Sequence, residues 1–181
     1  EYIEWENKFR FLHGEFDKQK KVNYVYLEER YEIKISDIHD FFRLLYALES
    51  TYVGLLKCFI YHRVYFKNIQ SFDDKWLNNN EFKNFNISKI YTHFFNIDKK
   101  SNQLLFNIYK GVISKMDLNV EFDFVRELYE DLFDKRIRHS SGEYFTPDWL
   151  AELMIKSLVN DDELMRKKFL DPTCGSGTFL R

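Results

Sequence analysis

The sequence predicts a mainly α-helical protein, with a bundle-like helical domain over residues 1–134 followed by the beginning of an α/β domain over residues 135–181. Only six glycines and two prolines interrupt the 181 residues, which favours long helices over many short strands. Apolar side chains recur three and four residues apart in several stretches, as they do on the buried face of a helix. Near its end the chain instead runs from a helix through a short apolar segment into a glycine-containing turn, an order of elements that fits an α/β fold.

The first 35 residues are rich in aromatic and charged side chains, and we predict that they are helical. Trp5, Phe9 and Leu12 lie at helical spacing, and Gly14 is a suitable residue to end that helix. The segment 22–27 is compatible with either a strand or the start of a second helix.

The clearest helix of the sequence begins at Ser36 or Asp37 and runs to about residue 66. Either residue can accept a hydrogen bond from the unpaired amides of the first turn. One apolar face continues through the whole stretch, which predicts a core helix. The members of this face are Ile38, Phe41, Phe42, Leu45, Leu48, Tyr52, Leu55, Leu56 and Phe59.

The remaining part of the predicted helical domain is less regular. Residues 67–100 are rich in Asn, Asp and Phe, and we expect short helices joined by turns there. Two further helices are expected at 104–113 and 122–132. A basic cluster at 135–139 lies at the predicted domain boundary near residue 134. The cluster either complements the C-terminus of a helix, contacts DNA phosphates or braces the segment that follows it.

Composition excludes several classes of protein. A net charge of −2 and a pI near 6.3 give no global sign of nucleic-acid binding, so any DNA contact has to come from local patches. Two cysteines, Cys58 and Cys174, are too few for a disulfide scaffold and favour a cytoplasmic location. No apolar run reaches the ~18 residues of a membrane span. We also predict no metal site, because His39 and His62 lie several turns apart on one helix.

The end of the chain carries the residues that point to chemistry. Thr146 is placed to cap a helix whose first turn holds Pro147 and Asp148. The segment 169–170 then reads as a short strand, which is ended by Asp171 and the proline after it.

A glycine turn follows this predicted strand. Gly175 and Gly177 allow positive φ and a close approach of the backbone to a ligand. Asp171 suits a ligand with ammonium or hydroxyl groups better than a phosphate, because like charges repel. The turn also lacks the Gly-Lys-Ser/Thr ending of a phosphate-binding loop. We therefore expect a nucleoside or amino-acid ligand.

Two segments resemble motifs of the adenine-N6 DNA methyltransferases of restriction–modification systems, of type IIG-like or type I-like organisation. Arg138-His139 with Gly-Glu-Tyr-Phe-Thr-Pro at 142–147 resembles motif X, and Asp-Pro-Thr-Cys-Gly-Ser-Gly-Thr-Phe-Leu at 171–180 resembles motif I. Motif X precedes motif I by about 25 residues, a spacing that fits one helix plus turns. The stretches 48–53 and 128–132 are similar to the helical segment before motif X in fused enzymes of this kind.

The resemblance implies a Rossmann-like methyltransferase domain that binds S-adenosylmethionine. It implies Asp171 near the methionine end of the cofactor, backbone contacts from the glycine turn, and closure of the pocket by motif X. Glu143 lies beside the pocket in the family and is assigned no catalytic role. The residues implied to bind the cofactor are Tyr144, Thr146, Asp171, Thr173, Gly175 and Gly177.

The family's catalytic tetrapeptide, Asn or Asp-Pro-Pro-Tyr or Phe, does not occur in these 181 residues. We therefore expect that the chain is a truncated piece of a larger enzyme and does not methylate by itself, and we assign no catalytic residue. The resemblance implies double-stranded DNA as a partner of the parent enzyme, together with a restriction or specificity subunit or domain. The alternative is a non-catalytic helical module that positions DNA or couples a nuclease or partner to the methyltransferase.

Overall fold

A computed structural model describes residues 2–13, 24–65, 99–113, 124–140, 142–159 and 166–180. Most of these residues are helical, and no β-strand occurs in these ranges. The prediction of a mainly α-helical protein is therefore confirmed, whereas the Rossmann-like α/β part stays a prediction. The helices of the described ranges are α1 (Tyr2–His13), α2 (Tyr24–Tyr31), α3 (Ile38–Tyr65), α4 (Lys99–Ile113), α5 (Phe124–Leu132), α6 (Lys135–Ser140), α7 (Asp148–Leu158) and a 3-10 turn (Thr178–Leu180).

Helix α3 is the element on which the others pack. With 28 residues it is about 42 Å long, and α1, α4 and α5 all lie against it. Its predicted start is confirmed: an Asp37 side-chain oxygen accepts hydrogen bonds from the backbone N–H groups of His39 at 2.8 Å and Asp40 at 3.0 Å. The Asp40 carboxylate in turn accepts from the backbone N–H of Ser36 at 3.0 Å, so the two side chains satisfy amides on both sides of the helix start.

The hydrophobic core is aromatic and joins the start of the chain to α6. Phe41 and Phe42 are fully buried in α3, and Trp5 packs face to face on Phe9 at 5.0 Å between ring centroids. Such ring pairs add a modest stabilisation beyond the area that they bury. The buried members of this core are Trp5, Phe9, Leu27, Ile35, Phe41, Phe42, Leu44, Leu45, Leu48, Phe133 and Ile137.

Among the described residues before α3, the segments 2–13 and 24–31 are helical, as predicted for this region. For the segment 22–27, either a strand or the start of a helix was expected. Its last four residues, 24–27, are the beginning of helix α2. Helix α1 ends at His13, and the proposed terminator Gly14 lies outside the described residues. The short helices expected in 67–100 fall almost entirely outside the described residues as well.

The predicted helix cap at Thr146 is wrong. The helix begins one residue later than expected, so Pro147 holds the N-cap position, and no side-chain hydrogen bond caps this end. The backbone of Pro147 is extended, with φ −58° and ψ 141°, and its carbonyl accepts from the N–H of Ala151 at 3.1 Å. Proline can occupy this position because its fixed φ is suited to a helix start.

The predicted strand at 169–170 is also wrong. Both residues lie outside helix and strand in the structure, with Phe169 half-exposed and Leu170 exposed. A strand is held by hydrogen bonds to a neighbouring strand, and the described residues provide none.

The predicted domain boundary near residue 134 is crossed by the core. Phe133 and Ile137 lie on either side of it, and both are buried in the cluster that contains the α1 and α3 residues. The division into 1–134 and 135–181 remains a prediction. Among the described helices, none has the length and apolar character required to cross a membrane.

Helix α1 offers a matched pair of phenylalanines for testing the core. Phe9 is 7% exposed, whereas Phe11 is 87% exposed. We expect Phe9→Ala to lower the free energy of unfolding by about 3–5 kcal/mol, because it leaves a cavity in the core. Phe11→Ala should change it by no more than about 0.5 kcal/mol. Urea denaturation followed by circular dichroism measures both, and equal losses would contradict this account of the core.

The α3 cap predicts a pH dependence. The backbone N–H of Asp40, and after it that of His39, lowers the pKa of Asp37 by hydrogen bonding to the carboxylate. A lowered pKa contributes stability above the unfolded value of about 4, and this contribution is lost as the pH falls through the folded pKa. The stability difference between the wild type and Asp37→Ala should therefore be largest near neutral pH and shrink toward about pH 3. A difference that grows on acidification would refute the cap.

Candidate functional site

A cavity of about 410 Å³ lies between two segments that are far apart in the sequence. One wall is the segment 142–145, which follows α6, and another is the glycine turn at Gly175 and Ser176. Tyr52 of α3 and Tyr129 of α5 also line the cavity. The cavity therefore joins the two segments that carry the sequence motifs to the helical part of the chain.

The segment 142–145 is turned back by the end of α6. Gly142 has a φ of +77°, a conformation that side chains disfavour. Its N–H donates to the carbonyl of His139 at 3.2 Å, and the N–H of Glu143 donates to the carbonyl of Arg138 at 2.8 Å. These bonds satisfy carbonyls at the helix C-terminus and direct the following residues toward α5.

Phe145 anchors this segment on α5 and α6. The guanidinium groups of Arg126 and Arg138 lie 5.5 Å and 6.0 Å from its ring centroid, and the ring of Tyr129 meets it edge-on at 5.9 Å. Arg126 also pairs with Asp148 in the first turn of α7 at 3.3 Å. Cation–π and ring contacts therefore hold the Phe145 end of the segment in place.

Tyr129 and Glu143 form the polar contact in the cavity wall. The Tyr129 hydroxyl donates a hydrogen bond to the Glu143 carboxylate. Burial, and after it this hydrogen bond to a negative group, raises the pKa of Tyr129, so the phenol stays protonated. Tyr52 meets the Tyr129 ring edge-on at 5.1 Å, and its hydroxyl donates to the carbonyl of Val125 at 3.1 Å.

The opposite wall is the glycine turn. Gly175 and Gly177 have φ values of +53° and +88°, which confirms the positive φ predicted for both. The N–H of Gly177 donates to the carbonyl of Cys174 at 2.7 Å and closes the turn. A Cβ added at Gly175 meets no atom within 4 Å, so the glycine is required by backbone conformation and not by crowding within the chain.

Asp171 braces the beginning of this turn. One of its carboxylate oxygens accepts from the N–H of Thr173 at 2.9 Å and lies 3.3 Å from the Thr173 hydroxyl. This local bonding shapes the turn, as Asp side chains commonly do. Neither residue lies among those that line the cavity.

The predicted cofactor residues fall into two groups. Tyr144 and Gly175 line the cavity, and the Tyr144 ring, 70% exposed, stacks on His139 at 4.7 Å. The remaining four lie outside the lining, and their binding role stays a prediction. These four are Thr146, Asp171, Thr173 and Gly177.

Sequence reasoning missed the tyrosines of the cavity wall. Tyr52 and Tyr129 lie at helical spacing with buried apolar residues, so both read as ordinary core positions. Glu143 was recognised only as a neighbour of the pocket. No pattern in the sequence distinguishes a tyrosine in a cavity wall from one in a closed core.

Comparison with known proteins gives one further observation. Residues 120–181 match the family model of N-6 DNA Methylase. The matched segment contains α5, the segment 142–145 and the glycine turn, and so includes each described lining residue of the cavity apart from Tyr52. The match supports the resemblance to adenine-N6 methyltransferases for this part of the chain. Comparisons with curated proteins and with solved structures returned no match.

Two further observations on the described residues concern metal ions and phosphate. No group of three or more His, Cys, Asp or Glu side chains in the described ranges is placed to hold a metal ion. Among the described residues that line the cavity, none is Lys or Arg, the side chains that usually bind phosphate.

The Tyr129–Glu143 bond can be tested against a second tyrosine–carboxylate bond. Tyr129→Phe should lower the free energy of unfolding by about 1–3 kcal/mol, because it leaves a half-buried carboxylate without its donor. It should also speed hydrogen exchange of the amides in 143–145. Tyr26→Phe removes the Tyr26 bond to Asp134, 2.8 Å long and away from the cavity, and should leave those amides unchanged. Unaltered exchange in Tyr129→Phe would show that the bond does not position the segment.

Proposed function

We propose that this chain carries the cofactor-binding start of a DNA adenine-N6 methyltransferase from a restriction–modification system, with S-adenosylmethionine as cofactor. The observation that carries the proposal is the cavity in which segment 142–145 meets Gly175 and Ser176. Both segments belong to the part of the chain that matches the N-6 DNA methylase model. The cavity volume of about 410 Å³ lies within the range of small-molecule sites.

The character of the lining supports a nucleoside-type ligand without phosphate. Tyr52, Tyr129, Tyr144 and Phe145 supply aromatic surface, and Glu143 supplies negative charge. Aromatic side chains stack with flat heterocycles, and a carboxylate repels phosphate while it attracts a cation. S-adenosylmethionine combines an adenosine with two cationic groups and carries no phosphate, so it fits this combination.

In this proposal the chain binds and orients the cofactor, which supplies the reactive methyl group. The acceptor is the amino group of an adenine that is turned out of the DNA duplex. The groups that bind this amino group are assigned to a catalytic tetrapeptide outside these 181 residues, and we expect no methyl transfer by the chain alone. Double-stranded DNA, a restriction or specificity subunit and a cytoplasmic location are part of the same proposal.

A helical module without catalytic function is the second candidate. It is favoured by the position of the main core, whose members come from residues 5–48 and from Phe133 and Ile137. This core is complete without the glycine turn. Fluorescence anisotropy with a labelled duplex distinguishes the two candidates: duplex binding without any binding of S-adenosylmethionine favours the module.

Binding of S-adenosylmethionine tests the proposed function directly. We expect weak, saturable binding to the 181-residue chain, with a Kd on the order of 1 mM, measured by ligand-observed NMR. Gly175→Ala should weaken it about fivefold or more, because alanine at a positive φ strains the cavity wall by about 1–2 kcal/mol. Gly111→Ala is the matched control, since Gly111 lies in α4 with no positive φ.

Two results would contradict the proposed function. One is the absence of saturable binding at ligand concentrations well above the expected Kd. The other is equal binding by the Gly175→Ala and Gly111→Ala variants, which would place the ligand away from the glycine turn.

A further inference from the structure

Glu143 introduces a negative charge into the cavity wall without a matching positive charge. In the part of the chain that the structure describes, no Lys, Arg or His side chain forms an ion pair with it. Its carboxylate is half-buried and accepts from the neutral hydroxyl of Tyr129. Burial of a charge is costly unless the charge is paired. A cationic ligand at this place would therefore be stabilised by its attraction to the Glu143 carboxylate.

The two tyrosines that line the cavity with Glu143 suit the same kind of ligand. Tyr129 and Tyr52 meet edge to face, 5.1 Å apart, and both line the cavity. The negative face of an aromatic ring attracts ammonium and other onium groups within about 6 Å. The hydroxyls of both rings are already used, toward Glu143 and toward the carbonyl of Val125, so the rings are fixed in orientation.

We infer that Glu143, Tyr129 and Tyr52 form a subsite for the positively charged group of the ligand, a sulfonium or an ammonium. The inference rests on the proposed function for the identity of the ligand as a nucleoside. The preference for a positively charged group rests on the residues of the cavity alone. It assigns two residues of the helical part, Tyr52 and Tyr129, to ligand binding. Where the subsite receives the sulfonium, it favours the cofactor over the product, whose sulfur is neutral.

Other ligands of the same wall fit less well. A divalent cation needs several oxygen ligands, and the described residues around Glu143 supply one carboxylate. A phosphate is repelled by that carboxylate and meets no Lys or Arg among the described lining residues. An organic cation needs only one carboxylate and aromatic surface, both of which are present.

The first experiment compares three ligands on matched variants. S-Adenosylmethionine carries sulfonium and ammonium, S-adenosylhomocysteine keeps only the ammonium, and 5′-methylthioadenosine has neither. Glu143→Gln removes the charge and keeps the shape, whereas Glu127→Gln makes the same change at an exposed position of α5 outside the cavity lining. We expect Glu143→Gln to weaken the binding of S-adenosylmethionine about tenfold, the factor that corresponds to about 1.4 kcal/mol. The same change should leave the binding of 5′-methylthioadenosine unaltered.

The response of S-adenosylhomocysteine distinguishes the two sources of charge. If Glu143→Gln reduces the affinity for S-adenosylhomocysteine less than that for S-adenosylmethionine, the subsite binds the sulfonium. If the two affinities fall equally, it binds the ammonium. An equal change in affinity for all three ligands, or no change for any of them, overturns the inference. Circular dichroism confirms that each variant is folded, and Tyr52→Leu provides a second variant that leaves the Tyr129–Glu143 bond intact and should weaken the same ligands.

The second experiment uses a cation without a nucleoside. Trimethylsulfonium should shift the tyrosine ring resonances of the 181-residue chain in a saturable way at millimolar concentration, whereas neutral dimethyl sulfide should not. Glu143→Gln should abolish the shift, and Glu127→Gln should keep it. Trimethylsulfonium binding without S-adenosylmethionine binding would refute the proposed function and retain the subsite. S-Adenosylmethionine binding without any effect of trimethylsulfonium or of Glu143→Gln would refute the subsite and retain the function.

Discussion

The contacts of Tyr129 connect the folded core to the candidate site. Its ring stacks on Phe133 at 4.3 Å, and Phe133 is buried in the core that α1 and α3 form. The other contacts of the same side chain point toward the site: the ring meets Tyr52 and Phe145, and the hydroxyl bonds to Glu143. Stability of the helical part and geometry of the cavity therefore depend on one residue, because packed aromatic contacts transmit displacement with little slack.

The elements predicted correctly are those whose determinants are local. Helix α3 is recognisable from its unbroken apolar face and from Asp37 at its start, and both features act within a few residues of each other. The glycine turn is recognisable for the same reason, since glycine permits the positive φ that Gly175 and Gly177 adopt. The motif segments of the site could therefore be located from the sequence, although only Tyr144 and Gly175 of the six predicted residues line the cavity.

The failures concern features that depend on partners. The predicted strand at 169–170 requires a neighbouring strand, and the expected cap at Thr146 depends on where the chain enters α7. Tyr52 and Tyr129 were placed on core faces correctly, but whether such a face closes or borders a cavity depends on the residues that approach it from elsewhere in the chain. Hydrophobic periodicity describes one helix and contains no information about the opposite wall.

The charged side chains around segment 142–145 fall into two groups. Arg126 and Arg138 lie near Phe145, and both also pair with Glu130, each at 3.5 Å. Glu143, in contrast, has a neutral phenol as its donor. If either guanidinium lay within ion-pair distance of Glu143, its positive charge would balance that of the carboxylate, and the cavity would lose its preference for a cation. Both guanidinium groups pair with Glu130 instead. The ion pairs of Glu130 therefore help to determine which charge the cavity can accept.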